Sequence, residues 1–230
     1  MKINLGKTIV IALGGSVVHP DGIDTDLIVK FRQLIQRQVC RGVKFVLIIG
    51  GGQLCRNFLS AAKKVTRLSA REHDWLGIYA TRLNAQYIRL IFGRLADPVL
   101  VEARGQITRL KYPVTVGGGW TPGWSTDFVA TALAHDLGAD TVIIAGKPDF
   151  VYNKDPHKFK GAKPYREMDW RAYHKVIPRK WVPGAHAPVD PVAARFAEKN
   201  KMTAVVMDGR NLKNLERLIA GKEFRGTIIN

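Results

Sequence analysis

The sequence predicts a single α/β domain with a mostly parallel sheet and helices on both faces. Short β-branched apolar runs, several of them stopped by glycines, alternate with stretches whose apolar residues recur at helical spacing. Neither a linker nor a repeat of roughly 20–50 residues divides the chain, so residues 1–230 read as one continuous domain.

Thr8–Leu13 (TIVIAL), stopped by Gly14-Gly15, reads as a buried strand. After the turn at Pro20-Asp21-Gly22, Leu27, Ile28, Phe31, Leu34, Ile35 and Val39 mark a helix with Asp24 as N-cap. Lys44–Ile49 (KFVLII) is a second buried strand, ended by Gly50-Gly51-Gly52 and followed by a helix through Phe58 and Ala62. A long helix is expected from Glu72 to Phe92, then short strands at Pro98–Val101 and Pro113–Val116 with a hairpin near Gly105. Gly117-Gly118-Gly119 precedes a helix from Thr126 to Leu137, and Thr141–Ile144 is the next strand. The Pro- and Lys-rich stretch from Lys147 to Lys163 reads as mostly loop. Asp190-Pro191 has the pattern of an N-cap with Pro at the first helical position, opening a helix to Asn200. Thr203–Met207 is a strand, Leu212–Ala220 a helix ended by Gly221, and Thr227–Ile229 a closing strand.

With 46% hydrophobic and 24% charged residues the balance is globular, which excludes a disordered or fibrous chain. No apolar run approaches the ~20 residues of a membrane span, and the opening residues lack a signal-peptide core. Two cysteines, Cys40 and Cys55, form no CxxC pair, so a reduced cytoplasm is the expectation. Lys and Arg number 36 against 19 Asp and Glu, a net charge of +17 that is denser in the C-terminal third. Such a balance suits phosphate-bearing partners, polynucleotide or small. There is no zinc-finger spacing, RNP-type aromatic motif or basic tail, so nucleic-acid binding is not expected as the main function.

Three strand ends carry glycine clusters, at Gly14-Gly15, Gly50–Gly52 and Gly117–Gly119. In open α/β sheets ligands bind beyond the carboxyl ends of strands, where glycine lets backbone N–H groups approach an anion. Each cluster alone could be a tight turn; three at corresponding places suggest a site for several phosphates. Known phosphate motifs do not apply. Gly6-Lys7-Thr8 resembles the end of a Walker loop but precedes the first strand, and no GxGxxG occurs.

The segments IALGGSVV, IIGGGQLCR, HDWLGIYATRLNA, GGWTPGWSTDFVA, PDFVYNKDP and APVDPVAARFA follow one another in this order. In that order and spacing the chain resembles UMP kinases of the amino-acid-kinase superfamily, from about Ile9 to the terminal GTII. The GGS turn and the TPGWSTD loop are closer to the archaeal-type enzymes. The resemblance implies a three-layer αβα sandwich, with an acceptor-nucleotide half over about 1–138 and an ATP half over about 139–230. It further implies Mg²⁺-dependent transfer of a phosphoryl group from ATP to UMP, and a homohexamer built from dimers.

Matched position by position, the resemblance implies phosphate contacts at Gly14, Gly15 and Ser16, a glycine loop near both nucleotides at Gly51 and Gly52, and an arginine beside the phosphates at Arg56. It places the nucleoside contact at Asp74 and the acceptor loop at Trp120, Thr121, Pro122, Gly123, Trp124, Ser125 and Thr126, closed by Asp127. Adenine and ribose contacts fall at Lys147, Tyr152 and Asp155. Gly15, Ser16, Arg56 and Asp127 are the implied catalytic set. Two positions depart from the pattern: Ala12 stands where many members have Lys, and Phe150 replaces the glycine of DGVY. The phosphate-neutralising cation must therefore come from elsewhere, and the bulk of Phe150 bears on the adenine pocket.

Blander roles stand beside these. Arg56 could be a solvated surface charge, Asp127 a helix cap, Asp74 an acid favoured by a helix dipole, and Tyr152 a packing residue. Trp120 and Trp124 could stack on a base or pack their loop, the substrate-side role being preferred. His73, His135 and His186 show no ligand spacing and read as structural. Two functional alternatives remain at this point: a silent nucleotide-binding or storage protein, and a superfamily kinase with another small acceptor.

Overall fold

Strands buried on both faces should be apolar at every position, and in the computed structural model the apolar runs behave in this way. The structure describes residues 2–156, 158–177 and 187–230. In chain order the elements begin β1 (Thr8–Leu13), a single turn α1 (Gly15–Val18), α2 (Thr25–Val39), β2 (Lys44–Ile49), α3 (Gly52–Val65) and α4 (Ala70–Phe92). Next come β3 (Val114–Gly117), α5 (Thr126–Asp136), β4 (Thr141–Gly146), β5 (Val151–Tyr152), β6 (Pro164–Tyr165) and β7 (Glu167–Met168). The last are α6 (Trp170–Val176), α7 (Pro191–Lys199), β8 (Thr203–Asp208), α8 (Leu212–Ile219) and β9 (Thr227–Ile229).

Seven strands form one sheet in the order β3-β2-β1-β4-β8-β9-β7. The first five are parallel; β9 runs antiparallel to β8, and β7 follows β9. Alternation along each strand divides the core in two. Val10, Ala12, Val46, Ile48, Val142 and Ile144 pack beneath α5, α6 and α7. Ile9, Ile11, Leu13, Phe45, Leu47 and Ile49 face α2, α4 and α8. The molecule is therefore a three-layer αβα sandwich, as expected.

Caps agree with the sequence where they were read from it. Asp24 accepts from Leu27 N at 3.0 Å, and Asp190 accepts from the Val192 and Ala193 amides behind Pro191. Several elements differ. Pro98–Val101 is not a strand, and only Ala96 and Val101 make isolated bridges to β3. The Asp97 carboxylate accepts from Val99 N at 2.9 Å, a local turn that competes with ladder pairing. No hairpin forms at Gly105, because the Gln106 side chain takes the Glu102 and Ala103 amides instead. The stretch 147–163 is less loose than expected, since Tyr152 pairs with Pro164 across β5 and β6. The elements α1, β6, β7 and α6 were not legible; each spans seven residues or fewer, too short for a period to emerge.

Candidate active site

The sheet order reverses at β1: β2 and β3 lie on one side, β4 and β8 on the other. Ligands of open α/β sheets bind at such a switch point, beyond the carboxyl ends of the strands. Gly14 N donates to Ala145 O and Gly50 N to Leu13 O, both at 2.9 Å, so the ladder carries the first two glycine loops out together. There they pack backbone against backbone. A Cβ on Gly15 would lie 1.9 Å from Gly52 N, and one on Gly52 2.2 Å from Gly15 O. Gly52 also has φ +60°, a conformation side chains resist. The tight-turn reading thus holds for both loops. Among the described residues the N–H groups of Gly15, Ser16, Gly51 and Gly52 donate no hydrogen bond, and Gly15 N and Gly52 N each lie against the facing loop.

Arg56, exposed on the first turns of α3, donates from Nε to Gln53 Oε1 at 2.8 Å and from Nη2 to Pro20 O at 3.3 Å. Gln53 N in turn donates to His19 O at 2.9 Å, tying α3 to the end of α1. Arg56 is therefore held beside the turn that follows the first glycine loop. Ala12 is 3% exposed, between Ile48 and Ile144 in register, and contributes nothing polar.

The third glycine cluster opens the loop from Trp120 to Thr126. Trp124 N donates to Thr121 O at 3.2 Å around Pro122 and Gly123, and Gly123 has φ +87°, the residue choice of a type II turn. Asp74 Oδ2 accepts from Gly123 N at 2.8 Å, so the predicted nucleoside contact and the predicted acceptor loop do meet. Of the two roles read for Trp120, the structure shows the packing one. Its side chain is 4% exposed, sits in the core, and meets Trp124 edge-on at 6.2 Å, with Trp124 leading on to Phe128 at 4.8 Å. The buried Nε1 of Trp120 has no partner among the described residues.

Ser125, not Asp127, caps α5, accepting from Phe128 N at 3.1 Å. That leaves the Asp127 carboxyl for another task. It accepts from Asp190 N at 3.3 Å, with the Asp190 carboxylate close by. Burial first, and then the Asp190 charge, push the Asp127 carboxyl up to about 7, against the relief of that N–H. Asp190 Oδ2 is buried with no partner among the described residues.

After β4, Gly14 abuts Gly146, and Gly209 N donates to Gly146 O at 2.9 Å, which seats the following segment next to the first glycine loop. Lys147 is exposed at its start. Tyr152 donates to Asp149 Oδ1 at 2.8 Å, and burial and that carboxylate raise its hydroxyl pKa. Arg225 pairs with Asp149 at 3.4 Å and lies 5.8 Å from the Phe150 ring centroid. Phe150 is itself buried, so its bulk is absorbed by packing. Asp155 is exposed, 4.0 Å from Lys158. Among the described residues no hydrogen bond or ion pair joins Arg56, Asp74 and Asp127. His73 and His135 hold no shared ligand position, and His186 lies outside the described residues.

Three site residues escaped the sequence reading: Thr81, Arg82 and Asn84 on α4. Thr81 Oγ1 accepts from Gly119 N at 2.7 Å, Arg82 donates to the Gly119 and Trp120 carbonyls, and Asn84 Nδ2 donates to Gly50 O at 2.9 Å and Gly51 O at 3.0 Å. The signal was present, since Thr81 and Asn84 are polar residues on a helix face otherwise occupied by Ile78, Ala85, Ile88 and Phe92.

Comparison with known proteins adds to this geometry. The model of the amino acid kinase family matches residues 7–208. The chain is 35% identical over 221 residues to the uridylate kinase of Methanosarcina mazei, covering 93% of this chain and 92% of that one. It is 34% identical over 225 residues to the uridylate kinase of Methanospirillum hungatei, covering 96% and 94%. Among solved structures, uridylate kinase from Archaeoglobus fulgidus superposes with a TM-score of 0.82 at 28% identity, over 97% of this chain and 100% of that one. A UMP kinase from Bacillus anthracis superposes with a TM-score of 0.77 at 19% identity, over 97% and 96%, a likeness of fold.

Proposed function

The chain belongs to the amino acid kinase family, and we propose that it transfers the γ-phosphoryl group of ATP to UMP, giving UDP and ADP. The observation that carries this reading is the pair of interlocked glycine loops at the switch point, with four N–H groups that donate no hydrogen bond among the described residues, and a third loop held by Asp74.

The acceptor is a phosphate oxygen already ionised at neutral pH, so the reaction requires no general base. Its obstacle is the approach of two polyanions and the charge on the group in flight. Backbone donors at Gly15, Ser16, Gly51 and Gly52 answer that without reorganising, and Arg56 adds a forked cation. Asp74 and the loop from Trp120 to Thr126 receive UMP. Lys147, Tyr152 and Asp155 receive the nucleoside of ATP. Asp127 stands at the start of α5, where it orients groups around the phosphates. Mg²⁺ brought with ATP would supply phosphate-charge neutralisation beside the loops at Gly15-Ser16 and Gly51-Gly52.

A homohexamer built from dimers belongs to the same reading. The support is α3, which buries no residue of its own and exposes Phe58 and Val65 beside Tyr79 and Leu83 of α4. Location in the cytoplasm fits two cysteines that are both free thiols. No described helix is long and apolar enough to cross a membrane.

A coupled assay with MgATP and a panel of acceptors tests the proposal. UMP should turn over best, followed by CMP, while small apolar phosphates and amino acids remain inert. An inert protein that binds ATP tightly would overturn it.

A further inference from the structure

Placing Thr81 and Asn84 on the buried face of α4 is costly unless each polar group is paired. They are 8% and 4% exposed, and both are paired with loop backbone rather than with other side chains. Thr81 Oγ1 donates to Ile78 O at 2.6 Å while accepting from Gly119 N, so its hydroxyl both donates and accepts. Arg82 is drawn in with them, its side chain 18% exposed. Nε donates to Gly119 O at 3.1 Å, and Nη2 donates to Trp120 O at 3.2 Å and Glu102 O at 3.1 Å. Nη1 lies 3.3 Å from the Glu102 carboxylate, and the guanidinium carbon lies 5.8 Å from the Tyr79 ring centroid. One helical turn therefore grips two loops from adjacent strands, since Ile48 of β2 is in register with Gly117 of β3.

We propose that Thr81, Arg82 and Asn84 position the acceptor loop against the second glycine loop, with Arg82 the residue that decides UMP affinity. The inference rests on reading Trp120–Thr126 as the UMP loop. Arg82 gives its donors to protein groups; it acts through the carbonyls of Gly119 and Trp120 and is a positioning residue. Only a planar fork satisfies three carbonyls and a carboxylate at once, which a lysine ammonium on a flexible stem does not. The arrangement matters because a misplacement of about 1 Å between reacting groups costs ~10²-fold in rate.

Kinetics of Arg82→Ala, Arg82→Lys and Arg37→Ala, with amide exchange on the nucleotide-free proteins, test this. Arg82→Ala should raise KM for UMP about tenfold or more and leave KM for ATP within about twofold, with lysine recovering part of the loss. Arg37, an exposed arginine of α2 paired with Glu216 at 3.2 Å, is the control, and Arg37→Ala should keep both KM values. Exchange in the peptide 118–125 should quicken in Arg82→Ala but not in Arg37→Ala, with β8 unchanged in both. Equal rises in both KM values, or unaltered exchange at 118–125, would overturn the proposal. If the wild-type protein does not phosphorylate UMP, the functional reading fails, and the exchange measurement still decides whether Arg82 positions the loop.

Discussion

Asp127, proposed to orient groups around the phosphates, carries a cost for the fold. Its carboxyl keeps its proton up to about 7 in the folded chain, whereas in the unfolded chain it releases it near the ordinary value of 3.8. From about pH 4 to 7 the folded state therefore binds more protons, and this group's contribution lowers stability as pH rises; the penalty is absent below that window and complete above it. Asp127→Asn cannot ionise and escapes the penalty. Melting temperature of the variant minus wild type should be more positive at pH 8 than at pH 5, while turnover falls. A difference that shrinks with rising pH would mean that the folded protein favours the ionised carboxylate. Asp74 acts differently. Asp74→Asn should weaken UMP binding by roughly 10–100-fold, as expected for loss of a charged hydrogen-bond partner at about 1.5–3 kcal/mol, and leave ATP binding intact. Titration calorimetry with each nucleotide checks it, and equal losses would assign Asp74 to the fold.

Between the first two strand ends, glycine is demanded by backbone meeting backbone. Gly15→Ala would drive a Cβ into Gly52 N, with no flexible side chain to yield. Overpacking of this kind costs at least about 1–3 kcal/mol, and a domain of this size loses ~2–4 °C per kcal/mol. Gly15→Ala should accordingly melt about 5 °C or more below wild type and lose ATP affinity as well. Gly22→Ala, with nothing within 4 Å, is the control and should melt like wild type. Unchanged melting in Gly15→Ala would show that the loops can part. The glycines were legible as candidates from their place after apolar runs. Their mutual contact was not, because nothing local distinguishes a glycine that clears a phosphate from one that clears another loop.

For the whole molecule, burial leaves one inconsistency. The sheet buries its apolar residues on both faces, yet Phe58 and Val65 on α3 and Tyr79, Leu83 and Leu90 on α4 remain exposed. Light scattering coupled to size exclusion should therefore give a mass several times the 25.6 kDa of one chain. Phe58→Glu should reduce that mass, because a carboxylate in an apolar contact is left unpaired. A wild-type monomer would remove the hexamer from the reading.

The strands β1, β2, β4 and β8, the caps Asp24 and Asp190 and the resemblance to UMP kinases were all legible in the sequence. Each rests on periodicity, apolar runs, short motifs or their order along the chain, none of which needs a partner brought from afar. Tertiary structure alone decided that Asp127 faces a residue 63 positions away, that Asp74 holds a loop 49 positions away, and that Trp120 is buried. It also decided that β9 and β7 reverse, and that one turn of α4 carries two loops. These relations follow from sheet order, which places the ends of β2 and β3 side by side under α4. A polar residue in an apolar stripe signals that it must find a partner, but only the fold names the partner.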